Sequence, residues 1–175
     1  MKRSLVAAIS LIVLVAGGLA GCDGLGGESA SEPTSKPISE STSTEVDSSA
    51  IVETLGSDAV SDDKRLEAIY EAREAKVEQA APALRKLLNS ENPEIVVAAA
   101  AALDGLDAKE AGGDVVEAAS RLSRDQKFEY LRQLLFIIGD IGGPEARIYM
   151  ETVAEGHQVP AIRLTAAQVL EDMEP

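Results

Sequence analysis

The sequence predicts an all-α fold, a short α-solenoid of about three and a half helical hairpins over residues 48–175, behind a polar tether and an apolar leader. Three observations predict it. Apolar residues recur at spacings of three and four from Asp62 onward, which is the helix period, and nothing alternates like a strand. The pattern then repeats: Pro93, Ile95, Ala99, Ala100, Leu103 and Leu106 have counterparts 67 positions on in Pro160, Ile162, Ala166, Ala167, Leu170 and Met173. That distance is two units of about 33 residues. Lastly, Pro82, Pro93, Pro144 and Pro160 each fall where a helix would begin, the position at which the missing N–H costs nothing.

Residues 1–21 read as a lipoprotein signal peptide. Lys2 and Arg3 head an apolar run from Leu5 to Ala16, and Gly17 and Gly18 break it before Ala20, Gly21 and Cys22. The run is too short to span the ~30 Å hydrocarbon core comfortably, which takes roughly 20 residues. An uncleaved anchor is the rival reading, since no charge appears from Ser4 to Gly21. Leu19-Ala20-Gly21-Cys22 resembles a bacterial lipobox. The resemblance implies diacylglyceryl transfer to the Cys22 sulfur and cleavage between Gly21 and Cys22. The chain has no second cysteine for a disulfide, and no cationic or histidine neighbour activates this thiol. Two or three acyl chains, at about 0.8 kcal/mol per buried CH₂, would hold the protein on a bilayer without a spanning helix.

Residues 22–47 read as a disordered tether. Gly24, Gly26, Gly27, Pro33 and Pro37 stand among serines, threonines and acids, with almost no large apolar side chain to offset the entropy of ordering. About 25 such residues reach on the order of 25–30 Å root-mean-square.

From there the elements follow in order. A weak helix is expected around Ser49–Leu55, then hairpins of Asp62–Lys76 with Ala81–Asn89, Pro93–Leu106 with Lys109–Leu122, and Arg124–Ile138 with Pro144–Glu155. A last helix, Pro160–Met173, ends the series with one apolar edge expected to lie open. Asn92 before Pro93 is an N-cap, and Ser123 with Gln126 has capping-box spacing. Gly112 and Gly113 weaken a helix start, and Gly139 to Gly143 end one helix and open the next. Leu131, Leu134, Leu135, Ile137 and Ile138 are the expected centre of the core, joined at helix spacing by Tyr70, Phe128, Tyr130, Phe136, Tyr149, Met150 and Met173. No pair buries its apolar faces alone, so the pairs must stack.

Asn92-Pro93-Glu94-Ile95 with Ala98 to Ala102, Leu103 and Leu106, and Ile137 to Ala146, resemble the short bacterial HEAT repeats, a group that includes the HEAT-like repeats of phycobilisome lyases. The likeness runs from about Asp62 to the end. The arginine this pattern expects near the start of the first helix is present as Arg163, but Val96 replaces it in the second unit. Tetratricopeptide repeats share the period, but their Trp, Tyr and Pro positions are not matched. The HEAT resemblance implies a protein-binding surface on the second helices, where Arg85, Arg147 and Glu151 are the candidate contact residues.

The chain has a formal charge of -14, and loss of Lys2 and Arg3 on cleavage would leave 14 basic against 30 acidic side chains, or -16. A nucleic acid or anionic membrane surface is therefore not the expected partner. Asp62, Asp63, Glu67, Glu71, Glu74 and Glu78 form the densest acidic group, read either as a solvated face or as a docking patch for a basic partner. His157 is the single histidine and sits in a surface loop with no nucleophile beside it. No catalytic constellation, phosphate loop, metal-ligand set or cofactor motif is evident, so an enzyme is not expected. The expectation is a lipid-anchored lipoprotein on the extracytoplasmic face of a bacterial cell membrane that scaffolds an unidentified protein. The alternatives are an accessory or chaperone-like module gripping a small ligand or maturing protein, and a tether contacting the cell wall.

Overall fold

Asp47 opens the first helix of the computed structural model, which describes residues 47–173. The leader, the Gly21–Cys22 junction and the tether up to residue 46 lie outside the described residues. Asp47 accepts the backbone N–H groups of Ser49 and Ala50 at 3.1 and 3.3 Å, so α1 runs Ser48–Gly56 behind a side-chain N-cap. Helix α2 spans Asp62–Glu74. A 3₁₀ turn, Glu78–Ala80, leads into α3, Ala81–Leu87. The Asn92 side chain accepts from the Glu94 N–H at 3.0 Å, and Pro93 starts α4, Pro93–Gly105. A second 3₁₀ turn, Lys109–Ala111, opens α5 at Gly112–Arg124. Then follow α6 Phe128–Ile141, α7 Gly143–Gly156 and α8 Pro160–Asp172. Among the described residues the regular structure is all helical.

Three of the turns share one device. Lys76 after α2, Asp107 after α4 and Gln126 after α5 have φ of 50°, 56° and 59°, the left-handed conformation that ends a helix. After α2 and α4 the next residue donates back across the turn, Val77 to the Ala72 carbonyl and Ala108 to Leu103, at 2.9 and 3.0 Å. After α5 Lys127 does the same to the Leu122 carbonyl. This corrects the capping box expected at Ser123. Ser123 lies inside α5, and the chain does not re-enter a helix until Phe128, because the Gln126 turn intervenes.

Packing follows alternate helices. α2 contacts α4, α4 contacts α6 and α6 contacts α8, while α1 contacts α3 and α5 contacts α7. Across the two rows the extensive interfaces are α1–α2, α3–α4, α5–α6 and α7–α8. The pairing is thus shifted by one helix from the expected hairpins. α1 is a full partner of α2, and α8 has both α7 and α6 against it.

The core runs through every helix. Ile69, Leu84, Ile95, Leu103, Leu131, Leu134, Leu135 and Met150 are fully buried. α4 sits among α2, α3 and α6, and buries Ile95, Val96, Ala98, Ala99, Ala100, Ala102 and Leu103. Alanine suits a helix enclosed on several sides, since its short side chain lets neighbours approach. At the α6–α8 crossing the approach is closer still, where a Cβ on Gly139 would lie 2.4 Å from Val169 Cγ1. Truncating Leu134 to Ala in this core costs about 2–5 kcal/mol. Two aromatics depart from the expected core: Tyr70 is 51 % and Phe136 47 % exposed, each directly after a fully buried residue, Ile69 and Leu135.

Candidate functional site

The fourth residue of each even helix explains what the expected arginine does. In α2 and α8 it is Arg65 and Arg163, whose guanidinium groups donate back to the loop carbonyls of Ser57 and His157, both at 2.7 Å. In α4 and α6 the same position is Val96 and Leu131, both fully buried. Where the arginine is absent, a neighbour can supply it. Arg121 of α5 donates to the Leu88 carbonyl and to Asn89 Oδ1, holding the loop before α4. Buried carbonyls at these corners need a donor, and a guanidinium has several to offer.

His157 belongs to this set of loop anchors. It is half-buried rather than a free surface residue. The Val159 N–H donates to Nδ1 at 3.1 Å, which leaves Nε2 of the neutral ring to donate to Ser123 Oγ at 3.0 Å. The ring stands edge-on to Phe128, with centroids 5.7 Å apart. A histidine with both nitrogens engaged in holding a corner has no lone pair turned toward a substrate.

The three predicted contact residues do not form one site. Arg85 on α3 is exposed and lies 2.5 Å from Asp114 Oδ2 on α5, so it ties two helices of the odd row together. That hydrogen bond and the charge of Asp114 hold the guanidinium above its ordinary range. Arg147 on α7 is half-buried and donates to the Met173 carbonyl at 3.2 Å, a cation at the C-terminal end of α8. Glu151 is exposed one turn further along α7.

The acidic group is divided by the fold. Asp62 Oδ2 accepts from Asn92 Nδ2 at 2.8 Å, and Oδ1 pairs with Arg65 at 3.4 Å. Glu67, Glu71 and Glu74 instead line an open cleft of about 710 Å³ between α1 and α2, together with Asp47. Its floor is Ala50, Ile51, Ala68 and Ala75. No ion pair among the described residues engages these three glutamates. Asp47 and Ala50 carry no functional reading in the sequence, because the helix they belong to shows only a short, weak apolar pattern there. The Asp-Ser-Ser start of α1 is the signal that points to it.

A second open cleft of about 680 Å³ lies at Gly139, Gly142, Pro144, Arg147 and Asp172. Among the described residues no three His, Cys, Asp or Glu side chains gather in a way that could hold a metal ion. No described helix is long and apolar enough to cross a membrane. Among the described residues four large apolar side chains are exposed: Tyr70, Phe136 and Leu164 on the even helices and Ile148 on α7. Tyr70 and Phe136 are each the ninth residue of their helix, so they hold the same register in α2 and α6 on either side of α4. No protein-family model matches the chain, and no curated protein or solved structure is significantly similar to it.

Proposed function

We propose that this chain is a lipid-anchored adaptor that holds a protein partner at the extracytoplasmic face of a bacterial membrane. Its helices act as a short HEAT-like α-solenoid. Support for the solenoid comes from the alternate-helix contacts and from the loop anchors that recur at the same register, Arg65 and Arg163. The observation that carries the binding role is the pair Tyr70 and Phe136. Both are about half exposed at equivalent positions of α2 and α6, and Leu164 of α8 is exposed on the same row at 72 %. Aromatic side chains held rigidly at a surface are the usual anchors of a protein interface. The membrane address rests on Leu19-Ala20-Gly21-Cys22 and on the positive, apolar segment before it.

Two measurements test the reading. A photocrosslinking amino acid at Phe136 of the full chain, expressed in its native cell, is expected to trap a discrete protein. Labelling with a clickable fatty acid is expected to mark the chain at Cys22, and Cys22→Ser is expected to abolish the label and release the folded domain from membranes. A chain that stays on the membrane without lipid sinks the anchor. A Phe136 probe that traps no protein sinks the adaptor, and a bound small molecule in the purified chain instead identifies the accessory module.

A further inference from the structure

We infer that the α1–α2 cleft is a docking groove for a cationic amphipathic segment of a partner protein, one that presents lysine or arginine on one side and small apolar side chains on the other. The inference rests on the adaptor reading and names the chemistry of what the adaptor holds. Glu67, Glu71 and Glu74 recur at four and three residues along α2, which puts them on one face, and Asp47 adds a carboxylate from the start of α1. Lys64 is the one cation among the described lining residues. Like charges a turn apart weaken a helix. Of the other acids of the group, Asp62 is spent on Asn92 and Arg65. The three glutamates are exposed and have no ion-pair partner among the described residues, so a cation that enters the cleft meets carboxylates not already paired.

Between the carboxylates the floor is apolar and shallow. Ala50 and Ala75 are exposed, and Ile51 and Ala68 close the base against the core. Methyl groups of that size accept a close-lying backbone with small side chains, in the way an amphipathic helix lies in a groove. Tyr70 stands one turn from both Glu67 and Glu74 and is half exposed, which offers a ring face to a cation at the edge of the same surface.

Charge also decides against the other occupants. The chain's own segment 23–46 carries Asp23, Glu28, Glu32, Glu40 and Glu45 against Lys36 alone, so it is repelled by this rim. A second copy brings a formal charge of -14 to the same carboxylates.

The test is a titration of the full chain, purified in mild detergent, with a fluorescein-labelled peptide of about five helical turns bearing Lys on one face and Ala and Leu on the other. Anisotropy at physiological salt should show saturable one-to-one binding. The triple variant Glu67→Gln, Glu71→Gln, Glu74→Gln should weaken it by about tenfold or more, and Ala50→Trp, which fills the floor without changing charge, should weaken it comparably. An equal charge change elsewhere, Glu117→Gln, Glu129→Gln, Glu155→Gln, should leave it within about twofold. No binding to the native chain overturns the proposal. So does an equal loss from both triple variants, which is attraction to net charge only, and so does binding that appears only after residues 23–46 are replaced by a Gly/Ser sequence. The adaptor reading is tested apart from this, by the Phe136 probe. A partner trapped there whose capture ignores the cleft triple overturns the groove and leaves the adaptor standing.

Discussion

Ser123 and His157, 34 residues apart, meet at 3.0 Å between Oγ and Nε2, so that the end of α5 pins the corner between α7 and α8. The same ring takes the Val159 N–H and packs edge-on to Phe128 at the start of α6. One side chain thereby joins three helices and the loop before a fourth.

Replacing His157 by Ala removes two hydrogen bonds and the ring contact, and is expected to cost about 2 kcal/mol in urea unfolding. Ser123→Ala is expected to cost about 1 kcal/mol. Because both act through one bond, the double variant should fall short of the sum by about 0.5 kcal/mol or more. Strict additivity would show that the bond does not form in solution.

Gly139 reports on the α6–α8 crossing. Gly139→Ala pushes a methyl against Val169 and is expected to destabilise by about 1–2 kcal/mol, although alanine is the better helix former. In a Val169→Ala background the same change should be nearly neutral or stabilising. A Gly139→Ala chain that melts higher than the native one would place α8 elsewhere.

Lys76 holds a left-handed conformation with φ 50°, which costs a β-carbon residue more than it costs glycine. Lys76→Gly is expected to raise stability by about 0.5 kcal/mol after the added freedom of the unfolded chain is counted. Lys64→Gly, inside α2, should lower it by about 1 kcal/mol. Thermal melts of the two variants should therefore shift in opposite directions.

Asp104 sets a pH dependence. Burial first, and then the charge of Asp140, raise its carboxyl above the ordinary aspartate range, against the opposing pull of Lys109 and Arg73. Its position near the C-terminal end of α4 is also the unfavourable end of the helix dipole for an anion. The folded state holds this proton more tightly than the unfolded one. The stabilisation is therefore full below the unfolded value, about 4, and is lost as pH rises through the raised folded value. Asp104→Asn should raise Tm at neutral pH and flatten the fall in Tm above about pH 4. A variant with unchanged slope in that window would assign the dependence to other carboxylates.

The helices were legible because their signals are local. Pro93 and Pro160 start helices where the proline rule places them, Asn92 caps α4, and the recurrence from Ala99 to Ala166 reads directly as two buried faces. The loop role of Arg163 was not legible, since an arginine at that spacing shows nothing about which carbonyl it reaches. Tyr70 and Phe136 misled for a related reason. Helix spacing puts them beside the buried stripe, but only the neighbouring helices decide how wide that stripe is. The candidate groove was half visible as the acids of α2; its other wall, α1, was too short and too weakly patterned to be counted as part of a site.

By itself, then, the amino-acid sequence determined that residues 48–173 are helical and where most of the helices start, because period, caps and proline act over a few residues. Tertiary structure decided the rest. It set the pairing at α1–α2 and α7–α8, exposed two aromatics, used Asp62 to hold the fold and left Glu67, Glu71 and Glu74 facing a cleft. Those outcomes depend on which surfaces compete for burial and which carbonyls lose their water, and that competition exists only once the helices are brought together.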